Sequence, residues 1–589
     1  MTPKSFKPAV IAAAIATLCM PLAAQTASPS PADVAARIEA LTQELQALKA
    51  QVQAQQKAAQ ESAQQAAAVQ AKQAEQVQAL QSQSLGSWLT VGGDYQFRLD
   101  SLRGETRPFT DVNAVFANAQ NQLQGAFFAN PTPANGAMLT GLMGFSQGMS
   151  GVRTFSQAQT FLGANSAMLM GLGSFAGPAF VDSYKPKNSS LFSNRFGLDL
   201  KAQVAEDVAV KARFTMYKNF GSQEDGAITN SGSAPFFADR VGVFDGTLGR
   251  VPSSSLLNVD RAYATWSNIG GSDVWFSVGR RPSTDGSPLH LKANEEKSGT
   301  AGVPSLLVNY AFDGMTLGTY LPDTALTRDG HAKICYGRGF EAGFEKPSGN
   351  SLDDTDMLGI SVVPVDTEAL RVWAQWQRGS KIFDAPTMRA TYFGDTAPKI
   401  NLGAIEWIGL GAMGKVDKLG PGSLTWFADV GYSTAKPNQN VSAQFGFQGL
   451  LSGGFFVPEA PTNKSGSAIY LGLRYDLPSG TKLGFEFNQG SKNWITFAPA
   501  AADMWTSKLG TRGSVYDLYL TQEVALQALA TTKAKTFFRL GVQVYDFKYT
   551  GSNNWVGAPV KLSDMQGQMS ALAPLAKAYD LYATFEVKF

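Results

Sequence analysis

Histidine and cysteine are almost missing from this 589-residue chain, which has two of each. Neither His290 nor His331 has further ligands at metal-binding spacing, so no metal centre is expected. Hydrolase chemistry needs a base beside a nucleophile, and only His290 with Ser283 or Asp285 offers that along the chain. A loop histidine near acids reads more simply as solvated. No CxxCH motif occurs, so the chain carries no c-type haem of its own. The chain therefore reads as a non-enzyme with no cofactor.

Charge is also scarce, at 16% of residues, and the net value of +2 leaves no basic excess for nucleic acid. Past residue 24 there is no charge-free, helix-compatible run of about 18 residues of the sort that spans a bilayer. The first residues read as an export signal: Lys4 and Lys7, an apolar stretch over 9–22, then Ala23-Ala24 as cleavage point. Leu18 stands before Cys19 where a lipoprotein site needs a small residue. Removal of 1–24 leaves Cys335 as the sole thiol and excludes an internal disulfide.

Alternation is what the chain has in abundance. In the last twelve residues Tyr579, Leu581, Ala583, Phe585, Val587 and Phe589 alternate with Asp580, Tyr582, Thr584, Glu586 and Lys588. A period of two makes one strand face apolar and the other polar. The chain stops on an aromatic residue, and Phe589 is similar to the terminal insertion signal of bacterial outer-membrane barrels, which the barrel-insertion machinery reads. The same alternation runs through Leu89–Asp100, 191–204, 208–216, 370–377, 469–476 and 482–488.

Connections fall into two kinds. Short turns are predicted at 205–207, 268–272, 312–314, 365–368, 417–422, 478–480 and, somewhat longer, 525–533. Long segments lie at about 101–190, 219–256, 282–304, 322–353, 379–400, 435–466, 490–512 and 549–577. Strict alternation of short and long is the asymmetry of an outer-membrane barrel with periplasmic turns and external loops. The fold class is therefore all-β, a transmembrane antiparallel barrel of about 16 strands (roughly 14–18) over 86–589. The stretch 334–344 is either a strand or part of a loop. Barrels of about sixteen to eighteen strands leave an aqueous lumen, which favours a channel.

Ahead of the barrel, Ser30-Pro31-Ala32-Asp33 starts a helix, and Val34, Ile38, Leu41, Leu45, Leu48 and Val52 form a heptad seam. The seam weakens into Ala and Gln, giving a periplasmic helical or coiled-coil segment over 25–85. A solvated spacer and a trimeric coiled coil under a homotrimer both suit it. The segments VDRAYATW (259–266), VGRRPSTDGSPLHL (278–291), ICYGRGFEAGF (334–344), DDTDMLG (353–359) and TRGSVYDLYLTQ (511–522) together resemble a family of bacterial outer-membrane porin-like proteins of unassigned function. That resemblance implies a barrel and outer-membrane lipid around it, and names no solute.

Two loops and one wall are candidates for function. Between Asp111 and Asp182 the only charged residue is Arg153, while Phe127, Phe128, Met138, Met143, Phe145, Met149, Phe161, Met168 and Met170 crowd the segment. Such an apolar loop packs over the rim, plugs the lumen, or offers a docking surface. The segment 282–304 carries Asp285, His290, Lys292, Glu295, Glu296 and Lys297, and reads either as a solvated external loop or as a constriction loop. In the second reading its acids face lumen bases across a transverse field. Alternation nominates Arg98, Arg195, Lys201, Arg213, Arg281, Arg371, Arg474, Lys482 and Arg539 as those bases, with Asp94, Asp199, Glu486 and Glu586 among the acids. The function expected is passive diffusion of small hydrophilic solutes with a lean to anions. The alternative is a scaffold around a trans-envelope partner such as a periplasmic multihaem cytochrome.

Overall fold

The computed structural model describes residues 88–589 except 220, 222–253, 284–289, 296–305, 345–351, 392–393, 501 and 526–533. Before residue 88 it describes only scattered helical positions between 35 and 57. The signal segment and most of the coiled segment lie outside the described residues.

From Leu89 onward the chain forms sixteen antiparallel strands that close on themselves. They are β1 (Leu89–Thr106), β2 (Lys187–Ala205), β3 (Val208–Asn219), β4 (Ser254–Trp266), β5 (Val274–Pro282) and β6 (Ala311–Tyr320). Next come β7 (His331–Phe340), β8 (Thr355–Asp366), β9 (Leu370–Phe383), β10 (Asn401–Leu419) and β11 (Gly422–Pro437). The last five are β12 (Lys464–Asp476), β13 (Thr481–Gly490), β14 (Gly513–Val524), β15 (Lys535–Phe547) and β16 (Leu575–Lys588). Closure is made by β16 against β1, with Arg98 opposite Thr584 and Asp94 opposite Lys588.

Period-two patterning explains which way each strand faces. Along β1, Gln96, Arg98 and Asp100 are buried inside, whereas Val91 and Leu99 are exposed outside. Leu410, Leu540 and Leu581 are each more than half exposed on the outer face. In water so large an apolar belt would be unfavourable; in lipid it is the expected surface, and closure leaves no unpaired edge.

The turn end follows the sequence closely except in one place. The turn predicted at 312–314 falls inside β6, and the real connection to β7 is 321–330. The ambiguous stretch at 334–344 is largely β7, while 306–310 folds into the lumen. One strand lost and one gained leave the total at sixteen. Gly314 caused the misreading: it suits a turn by type, yet it sits in register opposite Gly279 and Gly337, between strands that pack tightly around it.

The loop end is elaborately folded. The long segment after β1 forms four helices: α1 (Val112–Ala129), α2 (Pro133–Ser150), α3 (Phe155–Ala164) and α4 (Ser166–Gly173). Local signals start them, with Asp111 capping α1, Thr132 and Pro133 opening α2, and a Thr154–Gln157 capping box opening α3. They share a small core of Ala119, Leu142, Phe145 and Leu172. They also dock on the β11–β12 loop, where Val152 and Ala158 meet Val441 and Phe447.

The largest core lies inside the barrel, not between layers. Trp373, Trp407, Phe427, Tyr470, Trp494, Phe497 and Trp555 belong to one buried cluster formed by the inner wall and inward-folded loops. The wall makes room with glycine. Trp373 lies over Gly411 of the neighbouring strand, Phe427 over Gly472, Tyr519 over Gly484 and Tyr582 over Gly541, each directly opposite in register. Any Cβ at these glycines would meet the ring.

Candidate functional site in the barrel lumen

Two inward-folded segments organise the lumen. The segment 290–295, from the β5–β6 loop, has His290, Leu291, Lys292 and Asn294 buried. It seats on the far wall near the turn end. Lys292 Nζ donates to Asp517 Oδ2 at 2.6 Å and lies 4.5 Å from the Tyr582 ring centre. Asn294 donates to Glu523, Arg474 donates to the carbonyls of Leu291 and Glu295, and Lys588 pairs with Glu295 at 2.7 Å. The second segment, from the β13–β14 loop, brings Lys508 to Glu486 and Asp517. Its Thr496 hydroxyl donates to the Leu306 and Leu307 carbonyls, stitching it to the end of the first loop.

Wall charges on this side neutralise one another. Arg98 pairs with Asp100 at 2.6 Å and Asp580 at 2.8 Å, and its guanidinium lies 4.5 Å from the Tyr582 ring centre. Arg539 meets Glu586 at 2.8 Å, Arg474 grips Asp476, and Lys482 reaches Glu523 at 2.9 Å. Arg213 bridges Asp94 and Asp199, while Arg195 reaches Asp94 at 3.3 Å. Lys201 faces inward opposite Lys211 and stays exposed. Buried charges at these distances are tolerable only because each has a counter-charge and hydrogen bonds.

The opposite wall differs. Arg281 is 4% exposed, its Nε has no hydrogen-bond partner among the described residues, and its Nη1 donates to the Cys335 sulfur at 3.7 Å. Arg371 lies 3.4 Å from Asp366 near the turn end. Among the described residues of β5–β9, Asp366 is the one inward-facing carboxylate. Beside Arg281 opens a pocket lined by residues of β5–β9.

The bases nominated by alternation are thus all inward, but they form two unlike groups. Glu295 does not face bases across an open gap; it is held against Lys588, and Glu296 lies outside the described residues. The anion lean drawn from counting bases loses its ground on the β12–β3 side, because Asp100, Asp476, Asp517, Glu523 and Asp580 were not in the tally. Lys508 and Lys333 were missed as well. Lys333 falls in the segment 322–353, which the pattern of connections reads as a long loop. Lys508 lies in a loop, where alternation says nothing about direction.

OprB of Pseudomonas putida is 10% identical over 86% of this chain and 95% of its own, with a TM-score of 0.39. An anion-selective porin from Comamonas acidovorans is 10% identical over 85% of this chain and 99% of its own, at 0.35. OmpT of Vibrio cholerae, solved in a trimer form, is 12% identical over 85% of this chain and all of its own, at 0.34. No curated protein matches. The family described as a protein of unknown function, DUF3373, matches residues 185–589, well over half of the chain, and the chain belongs to that family.

Proposed function

We infer that this is a porin-type channel of a bacterial outer membrane, passing small hydrophilic solutes through a lumen narrowed by its own loops. The observation that carries the reading is the inverted patterning of a closed sixteen-strand barrel, polar and charged within and apolar without. In this reading residues 1–24 leave as a signal peptide and 25–85 stand in the periplasm. A homotrimer accords with the heptad seam. Anion preference is supported by the β5–β9 wall, where Arg281, Lys333 and Arg371 face inward against Asp366 alone among the described residues.

A sheath around a protein such as a multihaem cytochrome needs an empty lumen. Here Trp407, Phe497 and Trp555 pack edge-on inside it, ring centres 5.0 and 5.5 Å apart, and that reading gains no support. The test is liposome swelling with uncharged, anionic and cationic solutes of matched size. Swelling in all three, fastest with the anion, is the expected result. Absence of swelling from any solute, with the barrel folded, contradicts the channel.

A further inference from the structure

The pocket beside Arg281 opens where the β5 wall holds a buried guanidinium with no ion-pair partner among the described residues. It lies against β5–β9, with Arg281, Thr316, Lys333, Cys335, Ser361 and Gln377 among its lining residues. No aspartate or glutamate is among the described residues that line it. The hydroxyls of Thr316 and Ser361 and the Gln377 carbonyl oxygen are buried there without hydrogen-bond partners. On the β12–β3 side the buried wall arginines Arg98, Arg474 and Arg539 each meet a carboxylate, and Arg512, in the β13–β14 loop, donates to three backbone carbonyls. A guanidinium held out of water without an anion is costly, and an ordered anion offsets that cost through charge-assisted hydrogen bonds. Apolar groups, Phe312 and Met357, form the rest of the floor.

We propose that this pocket is a binding station for a small monocarboxylate with an apolar body. The carboxylate meets Arg281 and the hydroxyls, Lys333 adds long-range attraction, and the body lies on Phe312 and Met357. A fully hydrated inorganic anion gains nothing from that floor, which is why the pocket suits an organic acid. This deepens the channel reading and rests on it only for the station's role in transport.

Two substitutions address the site by different means. Arg281→Gln removes the charge. Gly359→Val fills the pocket from β8: a Cβ at Gly359 meets nothing closer than the Gln377 Cγ at 3.5 Å, so the backbone accepts a side chain. Arg213→Gln is the control, a lumen arginine outside the pocket.

The experiment is equilibrium dialysis of radiolabelled benzoate against the full-length, detergent-folded protein, with inorganic phosphate as competitor. Expected are saturable one-to-one binding, a loss of about tenfold or more in affinity in both pocket variants, and wild-type binding in Arg213→Gln. Phosphate should compete poorly. Absence of saturable binding up to about 50 mM, or equal binding by all variants, overturns the station. Effective competition by phosphate overturns the monocarboxylate assignment. Benzoate binding by a protein silent in swelling assays would retain the station and remove the channel; swelling without binding would do the reverse.

Discussion

Lys292 is the residue on which the inward segment depends most. Its ammonium is shared between Asp517 and the Tyr582 ring, far along the chain from its own loop. Removing one partner of a buried ion pair costs about 3–5 kcal/mol. Lys292→Met should therefore unseat 290–295 and raise single-channel conductance, whereas Lys292→Arg should preserve it; equal conductance in both would show that the segment is held elsewhere. His290, next door, supplies a pH test. Burial, together with the nearby Arg474 and Arg371, pushes its imidazole down to about 3. An unfolded histidine titrates near about 6.5, so the neutral ring's contribution is whole above that pH and is lost as pH falls from there toward about 3. Backbone protection of 290–295, followed by hydrogen exchange, should fall on acidification, and His290→Gln should flatten part of that fall. Unchanged slopes in the variant would count against His290 as the titrating group.

At the level of elements, the four helices of the first loop stand on a few aromatic contacts. Phe161 packs edge-on to Phe447 at 5.6 Å, and Phe145 meets Phe456 at 6.0 Å. Truncating a buried phenylalanine costs about 3–5 kcal/mol. Phe447→Ala should loosen α1–α4 from the β11–β12 loop and leave the barrel intact. Arg153 is the only lysine or arginine between Asp111 and Asp182, so trypsin cleavage there reports the release. Faster cleavage with unchanged heat-modifiable gel mobility is the outcome expected; no change in cleavage would mean that the helices hold without this contact. The helices themselves were hidden from a reading based on alternation. Their signals are caps, such as Thr154 with Gln157, and these precede segments rich in Gly and Met whose helical stripe is indistinct.

For the molecule as a whole, the barrel was legible because lipid and water impose opposite demands on successive residues of every strand. The terminal strand shows how far this reaches: Asp580, Tyr582, Thr584 and Glu586 line the lumen while Leu581 faces out. Lumen contents were less legible. Ile405, Trp407, Gly409 and Gly411 all face inward on β10, where an open aqueous wall would carry polar residues. Large apolar groups and glycines at inward positions are the signature of inner packing, since Leu307 and Trp494 lie against the gaps left by Gly409 and Gly431. That signal needs the strand's facing to be known first. Loop direction and long-range pairs such as Lys292 with Asp517 leave no trace in local pattern at all.

A closed barrel that conducts through a lumen restricted by its own segments has an electrical signature. Planar-bilayer recording of the full-length protein tests it most directly. Ohmic steps that are small for a barrel of this strand number, and that grow in Lys292→Met, are expected. A folded barrel that stays silent in both forms, or one whose steps are already as large as an unobstructed lumen allows, would contradict it.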